Sequence, residues 1–279
     1  MCSPHIMAHV QKRLQAKLSR RDMLKSGLIA GSAALAAQLP SAKAYHASKT
    51  IAVTNLSDLT HSLSESFPVF PAFEPMKITT LVTVENDGFY VNRLDLGEHT
   101  GTHLDAPAHF IADGITSDQI ALENFIVPLV VIDISAKAAN NPDAAVAVSD
   151  IIAWESEHGT LPENAGVMMY SGWENRLSDA ASYVNMGEEG MKFPGFSKEA
   201  AEFLVNERSI AGVGVDTLSI DVGSSSTFDV HVTILGAGKW GLENVANLAK
   251  APVNGAHLII GNIKVENGSG GPVRLIAAW

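Results

Sequence analysis

Four residues able to do metal or proton chemistry fall close together in Glu98-His99-Thr100-Gly101-Thr102-His103-Leu104-Asp105-Ala106-Pro107-Ala108-His109. His99, His103 and Asp105 lie at i, i+4 and i+6, and His109 follows four residues later. Neutral imidazoles and a carboxylate are the donors a borderline divalent ion prefers. Two histidines and one aspartate leave coordination positions open for water or substrate, which a catalytic site needs and a structural site avoids.

The surrounding sequence places this cluster at a strand end. Ile78–Val84 and Phe89–Leu96 read as strands separated by an Asn86-Asp87-Gly88 turn, and the second runs into the histidine cluster. Ile126–Ile134 is a continuous apolar run of strand length. Ser149–Glu157 has helical spacing behind a Ser/Asp start, and Val167–Tyr170 reads as a short buried strand. Ser197 caps a helix to Arg208 that presents Ala200, Ala201, Phe203 and Leu204 on one face. Ile210–Val215 reads as a strand, Leu242–Lys250 as a helix, and His257–Ile260 and Val273–Ala277 as closing strands. Alternating strands and helices imply an α/β protein. Trp173–Gly195 has little periodicity and reads either as a lid or as a packed surface loop.

The cluster resembles the His-x-Gly-Thr-His-x-Asp-x-Pro-x-His signature of the metal-dependent cyclase family, which includes kynurenine formamidases and isatin hydrolases. Its fixed positions are met by His99, Gly101, Thr102, His103, Asp105, Pro107 and His109. The resemblance continues through Gly214-x-Asp216-x-x-Ser219-x-Asp221, then His231, then Glu243-Asn244-Val245-Ala246-Asn247-Leu248. Near the other end, Asp58-Leu59-Thr60-His61 and Phe67-Pro68-Val69-Phe70-Pro71 resemble family runs, with Phe70 where Trp is usual and Ala72 where Gly is usual.

The resemblance implies a swivelling three-layer β/β/α domain. It implies that His231 and Glu243 complete a metal cluster with His99, His103 and Asp105, holding one or two ions, with Asp105 able to bridge two. It assigns His109 general acid/base duty rather than ligation. It places an aromatic wall at the substrate pocket, for which Phe67, Phe70 and Trp173 are the candidates, and it implies a homodimer. Read from their own surroundings, Glu243 could instead complement a helix dipole. His231 could be a half-buried strand histidine, and the same aromatic residues could be ordinary core. Asp216 and Asp221 read as structural residues holding a strand end and loop, and His61 as a structural hydrogen-bonder.

Two other motifs are set aside. Gly236-Ala237-Gly238-Lys239-Trp240-Gly241 satisfies Gly-x-Gly-x-x-Gly, but Trp240 sits inside the turn and the next strand ends at Gly261-Asn262 without an acid for a ribose. No Gly-x-Ser-x-Gly elbow is present, which argues against a serine hydrolase.

Residues 1–44 read as a leader and residues 45–279 as a single hydrolase domain. Ser19-Arg20-Arg21-Asp22-Met23-Leu24-Lys25 resembles a twin-arginine export signal. An apolar Gly/Ala-rich run and Ala42-Lys43-Ala44, a small-x-small cleavage site, follow. The apolar run is too short to span a bilayer, so the expected destination is the periplasm or the extracellular side. The leader holds seven basic residues and one acidic residue, leaving 12 basic and 29 acidic in the remainder. That surface argues against nucleic acid and anionic membranes. The single cysteine, Cys2, falls in the leader, so the mature domain has neither disulfide nor thiolate.

The reading that unites these features is a metal-dependent amidohydrolase acting on a small cyclic or N-acyl aryl amide. Hydroxide on zinc or manganese would attack the carbonyl, with His109 as general acid/base. Export favours lactams or lactones met outside the cell over tryptophan catabolism. The alternatives are a cyclase, dehydratase or lactonase using the same ion, and an exported metal- or ligand-binding protein without turnover.

Overall fold

The computed structural model describes residues 52–279. The leader expected at 1–44, with its Arg pair and Cys2, lies outside the described residues. The strands are β1 (Leu56–Asp58), β2 (Lys77–Val82), β3 (Val91–Asp95), β4 (His103–Asp105), β5 (Ile126–Asp133), β6 (Ala145–Val146) and β7 (Ala165–Tyr170). They continue with β8 (Met186–Gly187), β9 (Gly190–Met191), β10 (Gly195–Phe196), β11 (Ile210–Val215), β12 (Trp240–Glu243), β13 (Ala256–Asn262) and β14 (Gly270–Ala278). No helix among the described residues is long and apolar enough to cross a membrane.

Residues 79–93 form a unit of their own. Strands β2 and β3 pair as a two-stranded sheet. The Asn86-Asp87-Gly88 turn is a short helix, Val84–Asp87, capped by the Thr83 side chain and ended by Gly88 at φ 78°. Glycine enters that left-handed region without the steric cost a Cβ would impose.

The remaining residues, 52–78 and 94–279, form the larger unit. Its sheet runs β1-β14-β13-β5-β7-β11-β12-β4, and β4 also pairs with β14, so seven strands close on themselves with β1 outside the ring. β5, β7 and β11 are mutually parallel, and β12 is parallel to β11. Alternation along β5 sends Val127, Leu129 and Val131 to one cluster and Val130 and Ile132 to the other. The first cluster fills the closed sheet together with Met168, Trp240, Leu258 and Leu275. The second packs beneath helices Val148–His158, Lys198–Glu207 and Asp229–Gly236, through Ile151, Leu204 and Ile234 among others. Two sheet walls and a helix layer give the expected mixed α/β arrangement.

Trp240 occupies the sheet interior because glycines make room for it. A Cβ on Gly212 would lie 2.3 Å from the Trp240 ring and backbone oxygen, and one on Gly166 would lie 2.9 Å from Cη2. The Trp240 indole N–H donates to the Asn124 carbonyl at 3.0 Å. Trp240, set aside above as wrong for a nucleotide turn, is thus the plug of the barrel. Gly212→Ala overpacks this contact against rigid backbone. The expected loss of stability is about 1–3 kcal/mol, read as a fall in the thermal midpoint.

Two elements correct the sequence reading. Leu242–Lys250 is not a helix: it begins as the end of β12, and only Leu248–Lys250 makes a 3-10 turn. His231 is on no strand but in the helix Asp229–Gly236.

Candidate active site

β4 supplies two ligand candidates at once. His103 and Asp105 are two residues apart in a strand and so face the same side. β4 lies between β12 and β14, and the register sets Glu243 directly opposite His103. His99 comes from the preceding loop, His231 from the helix Asp229–Gly236, and His109 ends the 3-10 turn Pro107–His109.

Five of the six metal and acid/base candidates converge on Asp105, which is fully buried. His99 Nδ1 is 2.6 Å from Asp105 Oδ1, and His103 Nε2 is 3.4 Å from the same oxygen. His231 Nε2 is 3.5 Å from Asp105 Oδ2 and 3.3 Å from Glu243 Oε1. Glu243 Oε2 is 3.3 Å from His103 Nε2. His109 stacks on His99, with ring centroids 3.8 Å apart and planes at 25°.

The donor set fits a divalent cation. Buried His103 Nε2 and Asp105 Oδ2 have no hydrogen-bond partner among the described residues. Donor atoms of His103, Asp105 and Glu243 lie within 4.8 Å of one another, as do those of His99, Asp105 and His109. The electrostatics agree. Burial disfavours charge on His103, yet the facing carboxylates of Asp105 and Glu243 prevail and push its pKa up to about 10. His231 is likewise raised despite burial, by Asp105, Asp221 and Glu243. Burial raises Asp105, but His103, His231 and His99 hold it well below the usual carboxylate range. Buried carboxylates that hold protons this firmly on adjacent imidazoles mark a place for positive charge, and there a metal ion competes with protons.

Outer partners fix the rings. His103 Nδ1 donates to the Gly101 carbonyl at 2.8 Å, leaving Nε2 for the cluster. His231 Nδ1 donates to Asp221 Oδ2 at 2.6 Å. Asp221 also accepts the backbone N–H groups of Val230 and His231, so one carboxylate starts the helix and aims its histidine. Asp221→Asn is expected to weaken metal binding by about 10–100-fold while the fold persists, as measured by competition with a chelator. Asp216 holds a neighbouring corner, accepting the Ser171 N–H and hydroxyl and the Trp173 N–H.

A cleft open to solvent lies over the cluster. Val69, Phe70, Phe73, Phe110, Leu218 and Phe228 wall it, and His99, His103, His109, His231 and Glu243 form its polar floor. Neither lysine nor arginine lines it. Of the aromatic candidates, Phe70 lies here. Phe67 and Trp173 do not: Phe67 packs against His61 and Tyr183, and Trp173 donates its indole N–H to the Tyr183 carbonyl. Trp173, Tyr183 and Phe193 are buried together with Leu218, so the Trp173–Gly195 segment carries its own small core. Phe73, Phe110 and Phe228 went unnoticed in the sequence. Phe110 follows His109 directly and Phe228 precedes His231 by three residues, which was the available signal.

The family model "Putative cyclase" matches residues 57–222. The isatin hydrolase of Roseibium aggregatum is 36% identical over 213 residues, covering 72% of this chain and 80% of that protein. The kynurenine formamidase of Salinibacter ruber is 26% identical over 223 residues, covering 79% of this chain and 96% of that protein. Among solved structures, isatin hydrolase A from Ralstonia solanacearum superposes with a TM-score of 0.77 at 39% identity, covering 80% of this chain and 91% of that one. The family model takes in the His99–His109 motif and β4, and with the 36% identical relative it shows that the chain belongs to the cyclase family.

Proposed function

We propose that this protein is a metal-dependent hydrolase that opens an uncharged cyclic aryl amide of the isatin type. The observation that carries this reading is an aromatic cleft, lined by neither lysine nor arginine, set directly over the cluster of His99, His103, Asp105, His231 and Glu243. Similar proteins support it: one isatin hydrolase structure is bound to the product analogue thioisatinate, and another to benzyl benzoate.

A divalent ion held by His99, His103, Asp105, His231 and Glu243 supplies Lewis acidity at the carbonyl and lowers the pKa of water. Zinc and manganese both suit these nitrogen and oxygen donors. The protein does the rest. Phe70, Phe73, Phe110 and Phe228 hold the aryl ring and exclude water. Burial pushes the His109 imidazole down to about 4 against the pull of Asp105, so it is neutral at pH 7. One of its ring nitrogens then accepts the proton of the attacking water and returns it to the departing nitrogen. His109 makes no side-chain hydrogen bond to the described residues, which leaves its nitrogens free for this transfer.

Hydrolysis of isatin and of N-formylkynurenine by the protein from Tyr45 onward, with added zinc or manganese and then with chelator, tests the reading. Isatin is expected to be preferred by at least about 100-fold in kcat/KM, because neither lysine nor arginine lines the cleft to pair the carboxylate of a zwitterionic amino acid. Chelator is expected to abolish turnover. Comparable or faster turnover of N-formylkynurenine would replace the reading with a formamidase. No turnover of either substrate by metal-loaded protein would turn it toward lactones or a binding role. The proposal includes twin-arginine export, supported by the Arg20-Arg21 leader, and a homodimer. Cell fractionation and sedimentation test these two points.

A further inference from the structure

The Gly268-Ser269-Gly270 entry to β14 lies against the first ligand histidine. His99 Nε2 is 2.9 Å from Ser269 Oγ. Ser269 donates both its hydroxyl, at 2.6 Å, and its backbone N–H, at 3.0 Å, to Glu98 Oε2. Both flanking glycines are needed for this approach. A Cβ on Gly270 would fall 2.8 Å from His99 Cε1 and 2.4 Å from the Leu104 carbonyl oxygen. A Cβ on Gly268 would fall 2.8 Å from Glu98 Oε1 and 2.7 Å from Ser117 Oγ.

A proton inventory then fixes the ring. A serine hydroxyl has one proton, and that of Ser269 points to Glu98. The contact between His99 and Ser269 is therefore an Nε2–H donated to Oγ, which turns Nδ1 to the cluster as the nitrogen whose proton a metal ion would displace. Nδ1 is also the atom that faces Asp105. His103 and His231 are the reverse: their Nδ1 atoms are tied to Gly101 and Asp221, and Nε2 faces the cluster.

We propose that Glu98 and Ser269 are positioning residues that make His99 bind the metal through Nδ1, so that the site uses one Nδ1 and two Nε2 imidazole donors. The proposal rests on reading the cluster as a metal centre. Its consequence is that the Glu98 carboxylate, through one hydroxyl, raises the basicity of a ligand it does not touch.

The test uses zinc-loaded protein with ¹⁵N-labelled histidine, in which long-range ¹H–¹⁵N correlation distinguishes the two ring nitrogens. One site imidazole is expected with Nε2–H and zinc-bound Nδ1, and two with the opposite pattern. Ser269→Ala is expected to weaken zinc binding by about 10–100-fold in competition with a chelator and to change the His99 signals. Ser269→Thr, which keeps the hydroxyl, is expected to restore both. Zinc bound through Nε2 at all three histidines would overturn the proposal while leaving the metal centre intact. Unchanged zinc affinity in folded Ser269→Ala would overturn it too. Failure of the protein to bind zinc at all would remove the metal reading and this proposal with it.

Discussion

Asp105→Asn yields a folded protein that no longer retains a divalent ion through dialysis and has no measurable amide hydrolysis. Asp105 is the residue on which the cluster is centred: His99, His103 and His231 all face its two oxygens. An outer-sphere partner is worth about 10–100-fold in metal affinity, and a ligand shared by three imidazoles exceeds that. The substitution also removes a buried negative charge from among imidazoles whose protonation it supports. Loss of one partner from such a buried set costs about 3–5 kcal/mol. The neutral amide lessens that cost, because the histidines can become neutral as well. Metal content measured by elemental analysis, with a thermal melt alongside, checks both parts. Full metal retention would move the centre of the site away from Asp105.

His109→Ala separates binding from chemistry. Metal content is expected to stay at the wild-type level, because His103, Asp105, His231 and Glu243 retain their mutual contacts. Turnover is expected to fall by about 10²–10⁴-fold, the range for a lost general acid/base, with the loss in kcat rather than KM. His109 stacks on His99 and also lies within ligand reach of it and of Asp105. Metal loss in His109→Ala would therefore reassign His109 as a ligand, and wild-type turnover would remove it from the mechanism.

The legible part of this protein was the part encoded locally. His99 to His109 sit within one short segment, and strand alternation aims His103 and Asp105 together without outside help. The apolar run of β5 and the Ser197-capped helix were equally readable, because burial pattern and cap are both local. His231 and Glu243 came from the family resemblance, and their local structure was misread for a physical reason. The Asp229–Gly236 helix is started by Asp221, which accepts the N–H groups of Val230 and His231 across the preceding loop. Nothing adjacent announces it, and Val230, Val232 and Ile234 look strand-like.

The opposite error occurred at Leu242–Lys250. Leu242, Val245 and Ala246 have helical spacing, but their neighbours' backbone groups are committed elsewhere. Asn244, Val245 and Ala246 donate to the carbonyls of Thr217, Val215 and Leu59, and Asn244 and Asn247 adopt positive φ. Long-range hydrogen bonds took the donors that a helix would have used. The aromatic wall was hidden for a similar reason. Phe70, Phe73, Phe110 and Phe228 come from three separate segments with no shared period, so only the closed chain brings them to one cleft.

Closure of the sheet also sets an order of events during folding. β4, with His103 and Asp105, is held on one side by β12 and on the other by β14. β4 therefore waits for β14, the last strand among the described residues, to arrive, and the loop to be closed spans most of the described chain. Contacts of such separation fold slowly, since chain entropy is lost before they form. A chain still attached to the ribosome, with β14 inside the exit tunnel, would have the His99–His109 motif outside but neither Ser269 behind His99 nor the second wall of β4. A metal ion held by this cluster would thus be acquired only after β14 has left the tunnel and joined β4.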